Sequence, residues 1–380
     1  MRTRDLGIVI GRGRPGPGNA ITDVAGVHVG HTTIVEGDGP LVVGEGPVRT
    51  GVTVVVPRGR DGWNEPVYAG CHRLNGNGEM TGLEWVRESG TLTTPVAITN
   101  THSVGVVRDA LVEAWVEGTD AQTAHWSLPV VGETHDGLLN DINGFHVRPE
   151  HLRAALAVAE GGPVAEGNVG GGTGMVCHEF KGGIGTASRV IPDDRGGYTV
   201  GALVQANYGK RAWLRVDGVP VGSEIGVDEL PSPYDAGSSS KRALPPAGSG
   251  SIIVVIATDA PVLPHQCERL AQRAGLGIAR AGGTGGHTSG DLFIAFGTGN
   301  RLPPDDEDRP TARVLDVRSV GNGTIDALFD GVIEATEEAI VNALVAAETM
   351  TGRDGITAHA LPHARLLEIM TRYGRGPRAV

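Results

Sequence analysis

Residues 252–257 are six apolar residues in succession, inside the stretch SIIVVIATDAP (251–261). A strand with one wet face alternates apolar and polar residues, and this one does not. Both of its faces must therefore be covered by other layers of the protein. The segment directly before it, DELPSPYDAGSSSKRALPPAGSG (228–250), has the opposite character. Pro, Ser and Gly dominate it and apolar periodicity vanishes, so it reads as a linker or loop tip. The chain thus passes from polar loop to buried strand within one residue, Ser251.

The rest of the chain supplies layers to cover such a strand. GVHVGHTTI (26–34) and GVTVVVP (51–57) are short, β-branched and bounded by Gly or Pro, as strands are. GGIGTASRVI and YTVGALVQAN read as a strand pair, RAWLRVDG as another strand, and DLFIAF (291–296) as a further one. Apolar residues recur at helical spacing over 101–118, with Ser103 as its cap. They do so again over 148–162, Pro264–Arg280 and Thr324–Met350, and a shorter helix covers His363–Tyr373. On the long helix, Ile325, Leu328, Phe329, Val332, Ile333, Ile340 and Leu344 share one face. LPPDDEDRPTA (302–312) reads as an acidic surface loop. Strands and helices do not alternate regularly, so two sheets, each covered by helices, fit better than one parallel sheet. The 60 glycines lack the triplet period of collagen. They cluster between apolar runs, which implies tight turns and close backbone packing.

Several function classes fall away. The net charge of −12 repels phosphate backbones, and aromatics at 4% leave little surface for stacking bases, so no nucleic-acid partner is expected. No apolar run approaches the roughly 18 residues of a membrane span, and the N-terminal apolar stretch is too short for a secretory signal. Cys71, Cys177 and Cys267 make no disulfide framework. A cytoplasmic location follows. Cys71–His72, Cys177–His178 and His265–Cys267 are local pairs without a zinc-site spacing, and Pro362 interrupts His359 and His363, so neither a metal nor another cofactor is expected. GNVGGGTGM (167–175) follows a helix rather than a strand and opens no amphipathic helix. It is a close-packed segment or a wall of the site, not a dinucleotide fingerprint.

The chemistry centres on Ser251. No G-x-S-x-G and no S-x-x-K leading into a helix is present. A serine directly after a glycine at a loop–strand junction suits self-cleavage by an N-to-O acyl shift, because Gly250 tolerates the bent backbone that such a reaction needs. The product is a serine whose own α-amine, with a reference pKa of about 7.7–8.0, serves as general base near neutrality. In AGGTGGHTSGDLFIAF (281–296), Ser289 and Asp291 stand two apart at a strand start and point the same way. Glu133 in VVGETHDGLLND (130–141) can pair with a substrate ammonium. Asn207 in VQANYG (204–209) offers an amide donor to an oxyanion. On residue type alone, each of these also suits an ordinary turn.

RTRDLGI, PGPGNAITDVAGVHVGHTTI (15–34), PVVGETHDG, GNVGGGTGM, LVQANYG, GSIIVVIATDAP and TSGDLFIAFGTGN together resemble one family over nearly the whole chain. It is the DmpA-type L-aminopeptidase/D-esterase and β-peptidyl aminopeptidase family, peptidase family S58. The resemblance implies an α/β (α+β) four-layer α-β-β-α sandwich of the N-terminal-nucleophile type, related to ornithine acetyltransferase. It implies self-cleavage into an α-chain, 1–250, and a β-chain, 251–380, which fold together and assemble as several αβ pairs. Carried over, the nucleophile falls on Ser251, its supporting serine and acid on Ser289 and Asp291, the oxyanion amide on Asn207, and the carboxylate for the free substrate amine on Glu133. Where members of the family have a tyrosine near the oxyanion, this chain has His135, whose imidazole differs in length, tautomer and pKa. The implied activity is hydrolysis of amides or short peptides with a free amino terminus through an acyl-enzyme. Endo-acting hydrolysis of oligoamides or acyl transfer to an amine are the rivals on the same fold. The threonine at the cleavage point in enzymes of those two kinds disfavours both here. A non-catalytic amino-compound binder is a third reading, and the intact set of site residues argues against it.

Overall fold

The computed structural model describes residues 1–59, 65–118, 126–235, 248, 250–303 and 314–378. In chain order the strands are β1 (His28–Glu36), β2 (Val48–Val56), β3 (Val67–Arg73), β4 (Thr91–Leu92), β5 (Val96–Asn100) and β6 (Val130–Thr134). There follow β7 (Val176–Cys177), β8 (Phe180–Lys181), β9 (Gly183–Val190), β10 (Thr199–Asn207), β11 (Ser251–Thr258), β12 (Asp291–Gly297), β13 (Met350–Thr351) and β14 (Thr357–Ala358). The helices are α1 (Leu83–Ser89), α2 (Val104–Glu117), α3 (Pro149–Ala157), α4 (Val221–Glu224), α5 (Pro264–Arg280), α6 (Asn322–Ala346) and α7 (His363–Arg372).

Two main sheets result. One has the order β4-β3-β12-β11-β10-β9 and the other β1-β2-β5-β6. The apolar run of β11 explains why both are required. Ile252, Val254 and Ile256 point into a core shared with α5 and α6, through residues such as Leu270, Ala274, Leu328 and Ile340. Ile253, Val255 and Ala257 point the other way, into a core shared with Val55, Val96, Ile98 and Val130 of the second sheet. Each Ile or Val among them contributes about 1.5–3 kcal/mol on burial. A third core lies between the second sheet and α2 and α3, built from Val52, Val54, Val107, Leu111 and Leu152. Helices, sheet, sheet and helices make four layers, the α-β-β-α sandwich that the resemblance implies.

Four sequence expectations change. RAWLRVDG is not a strand. It forms a 3-10 turn at Arg211–Trp213 and a single bridge between Val216 and Val219. Asp217 and Gly218 both have positive φ there, so the chain reverses before a strand can extend. The helix over 148–162 ends at Ala157, and the long helix ends at Ala346, with Met350 in β13. That helix also has no wet face along its second half, since every residue from Ala335 to Val345 is buried. Its polar side is covered by the N-terminal segment. Arg4 and Arg189 pair with Glu338 at 2.8 and 2.7 Å, and Thr3 N–H donates to Asn342 Oδ1 at 2.9 Å. At the start of α2, Ser103 holds the cap position without a side-chain cap bond, and Asn100 caps the preceding turn through His102 N–H. Most of 228–250 and most of the acidic loop 302–312 lie outside the described residues.

Candidate active site

Strand order and direction bring the site residues to one end of the six-stranded sheet. β11 runs parallel to β12, so both begin at that end, and antiparallel β10 finishes there. Asn207, the last residue of β10, is the register partner of Ser251, the first residue of β11. By alternation from Ile253, Ser251 faces the space between the two sheets. Asp291 opens β12 beside Ile252. β3 pairs with β12, which delivers the turn after Arg73 to the same end. That turn then crosses to the other sheet, where Met80 bridges Gly132 in β6, next to Glu133.

Ser251, Asn207, Ser289, Asp291 and Glu133 are all between 1% and 5% exposed. Ser251 Oγ accepts a hydrogen bond from Gly290 N–H at 3.0 Å. Ser289 lies in the turn before β12 rather than in the strand. Its Oγ still donates to Asp291 Oδ1, at 2.6 Å. The same carboxylate oxygen accepts from Ile252 N–H at 3.3 Å, and Oδ2 accepts from Asn75 Nδ2 at 3.1 Å. Burial raises the Asp291 pKa above the usual aspartate value, and the bonds from Ser289, Asn75 and Ile252 act against that rise. Asp291 therefore contacts β11 at the Ile252 backbone and holds Ser289 with the same oxygen.

The Asn207 side chain is held at both ends. Val176 N–H donates to Oδ1 at 2.8 Å, which fixes the amide's orientation, and Nδ2 donates to the His135 carbonyl at 3.0 Å. The glycine-rich segment before Val176 packs as closely as its composition suggests. A Cβ on Gly172 would lie 2.4 Å from Ile184 N. This segment supports Asn207 from behind. Gly250 has φ +147° and a Cβ there would lie 1.9 Å from the Asn207 carbonyl oxygen, so only glycine fits.

Glu133 lies within β6, not in the turn after it. Its carboxylate accepts from Glu79 N–H at 2.9 Å and from Thr101 Oγ1. Burial raises its pKa, and these two bonds oppose the rise. His135 projects its ring into the cleft, where it is exposed. Crowding by the cleft walls, then the charges of His102 and Arg353, lower its pKa, which favours neutral imidazole. Glu133, His135, Asn207, Gly250 and Ser251 line one cavity of about 560 Å³, joined by Tyr234 and Leu138. The structure thus brings together every residue singled out in the sequence. It adds Asn75, Thr101 and the N–H groups of Gly290, Val176 and Glu79. Asn75 sits in an ordinary N-G-N-G turn, and only the pairing of β3 with β12 gives it a role. No group of three or more His, Cys, Asp or Glu among the described residues could hold a metal.

The sequence pattern of peptidase family S58 matches residues 19–358. The chain belongs to peptidase family S58. The β-peptidyl aminopeptidase BapA of Sphingosinicella microcystinivorans is 52% identical over 376 residues, covering 98% of this chain and 93% of its own length. The solved structure of a Burkholderia sp. β-aminopeptidase superposes with a TM-score of 0.89 at 56% identity, over 98% of this chain and 99% of that one. The L-aminopeptidase D-Ala-esterase/amidase of Ochrobactrum anthropi gives 0.88 at 46% identity, over 98% and 99% of the two chains. It is described as a prototype of the serine aminopeptidases and a variant of the N-terminal-nucleophile hydrolase fold. This S58 chain is accordingly a hydrolase, a serine aminopeptidase on that fold. No helix among the described residues is long and apolar enough to cross a membrane.

Proposed function

We propose that this S58 chain cuts itself between Gly250 and Ser251, and that the freed Ser251 hydrolyses amides and short peptides with an unblocked amino terminus. The observation that carries the reading is the convergence of Ser251, Asn207 and Glu133 on one cavity, with the Ser289–Asp291 pair flanking Gly290, whose N–H donates to Ser251 Oγ. In processing, Ser251 Oγ attacks the Gly250 carbonyl carbon, the C–N bond breaks, and the acyl group moves to oxygen. Water then hydrolyses the ester, leaving a carboxylate on Gly250 and an amine on Ser251. The products are an α-chain of residues 1–250 and a β-chain of residues 251–380. In turnover that amine takes the Oγ proton as Oγ attacks the substrate carbonyl. It then passes the proton to the leaving amine, and water hydrolyses the acyl-enzyme. Asn207 Nδ2 exchanges the His135 carbonyl for the developing oxyanion. Ser289, held by Asp291, orients the amine and hydroxyl of Ser251.

Glu133 sets the point of cleavage. Its buried carboxylate pairs with the substrate ammonium and fixes how far the next carbonyl lies from Ser251. The similarity to β-peptidyl aminopeptidases supports substrates whose first residue is a β-amino acid. His135 tunes that preference. We further propose a cytoplasmic assembly of αβ pairs, which the three free, buried cysteines support on the side of a reducing compartment.

The test joins intact mass spectrometry to a panel of α-, β- and D-aminoacyl p-nitroanilides. The smaller chain should begin Ser-Ile-Ile-Val, β-aminoacyl substrates should be turned over, and Ser251→Ala should abolish both cutting and hydrolysis. A single 39.3 kDa species with full activity would end the proposal.

A further inference from the structure

A second cavity, of about 250 Å³, adjoins the first. Thr288 lines both. Ser289 and Asp291 line the second too, and so do Lys210, Trp213 and the loop Thr284–His287. The proposed mechanism uses none of these last residues. Glu133 closes the first cavity on the amine side of the scissile bond, so whatever leaves must be accommodated elsewhere.

The chemistry of this cavity suits an anion. Lys210 is exposed, its ammonium stands 5.0 Å over the Trp213 ring, and no carboxylate lies within 4.0 Å of it among the described residues. The backbone N–H groups of Thr284, Gly285, Gly286 and His287 donate to no acceptor among the described residues. Successive free N–H groups in a glycine-rich turn form a concavity that favours an anionic oxygen. Asp291, the acid in the wall, has its oxygens committed to Ser289, Ile252 and Asn75.

The distance is also right. Gly248 packs on the stem of Lys210, and a Cβ on it would lie 2.4 Å from Lys210 Cγ. Gly248 is three residues before Ser251, a span of at most about 11 Å. One or two residues beyond the scissile bond cover that reach.

We infer that this cavity is a leaving-group subsite in which Lys210 and the Thr284–His287 loop bind the C-terminal carboxylate of a di- or tripeptide. The inference rests on the proposed role of Ser251. The carboxylate that self-cleavage leaves on Gly250 is the other source of the same chemistry.

Matched substrates test it: one aminoacyl-glycine as the free acid and as the C-terminal amide, with the aminoacyl p-nitroanilide as reference. In the wild type kcat/KM should favour the acid by about fivefold, the upper end of the range for an exposed ion pair. Lys210→Met, which keeps the stem that Gly248 packs on, should bring the acid-to-amide ratio to near one, and Lys210→Arg should keep most of it. Intact mass of each variant verifies processing. A wild-type ratio near one, as when the Gly250 carboxylate holds the site, overturns the inference. So does a ratio that Lys210→Met leaves unchanged. Failure of the Ser251 reading is distinguishable, because the p-nitroanilide would then go uncleaved in the wild type too.

Discussion

Gly250→Ala is a single-methyl probe of the junction. The added Cβ would lie 1.9 Å from the Asn207 carbonyl oxygen, whereas real Cβ contacts essentially never fall under 3.0 Å. The obstacle is backbone in the central sheet, so Gly250 itself must move by more than an ångström. It must also leave a φ of +147° that an alanine resists, at a cost of about 1–3 kcal/mol. In the proposed self-cleavage, Gly250 carries the carbonyl that Ser251 Oγ attacks. A displacement of this size from a near-attack geometry costs about 10²-fold in rate, or about 2.7 kcal/mol of barrier. The assay follows the uncut fraction of freshly purified protein by intact mass, with Ser249→Ala as the neighbouring control. Self-cleavage in Gly250→Ala should slow by about a hundredfold while Ser249→Ala processes normally. Circular dichroism against uncut Ser251→Ala verifies the fold. A folded Gly250→Ala protein that cuts at the wild-type rate would refute the account of the strained junction.

Three further outcomes follow from the site. Acetylating the substrate amine should remove most of the activity, and Glu133→Gln should cost the free-amine substrate about 2–4 kcal/mol of transition-state stabilisation while processing continues. Burial raises the Glu133 pKa, so the carboxylate is neutralised at a higher pH than an ordinary glutamate. KM should therefore climb as pH falls, beginning above the usual carboxylate range near about 4.3, and Glu133→Gln should flatten the climb. Asn75→Ala leaves the buried Asp291 Oδ2 unpaired, at about 1–3 kcal/mol. The Asp291 pKa should then rise further, moving the acid limb of kcat to higher pH with KM little altered.

Where a pattern is local, the residues alone foretell the structure. α5 occupies Pro264–Arg280 as its periodicity predicts, and the apolar run from Ser251 is the central buried strand. Readings fail where a distant segment decides. The apolar face of α6 is legible in the sequence, but the burial of its polar side under the N-terminal residues Thr3 and Arg4 is not. RAWLRVDG misleads for a local reason: it has strand-forming residues, but its own Asp217 and Gly218 turn the chain back on itself. Ser289 and Asp291 are two apart in the chain, so their pairing is foreseeable. Asn75 joins them from 216 residues away, and only sheet order supplies that contact.

The position of β11 has a consequence for how the protein is made. The strand lies third from one edge of a six-stranded sheet, between β10 and β12. A cut before Ser251 would leave the shorter chain with only β11 and β12 of that sheet, and the longer chain with the other four. The uncut chain reaches this interleaved arrangement as a unimolecular event. Two separated chains would have to find each other first, with a large apolar surface exposed on each. Processing would thus act as a ratchet: the information that assembles the sheet is spent once, and denatured mature protein should regain its fold only slowly and in proportion to concentration.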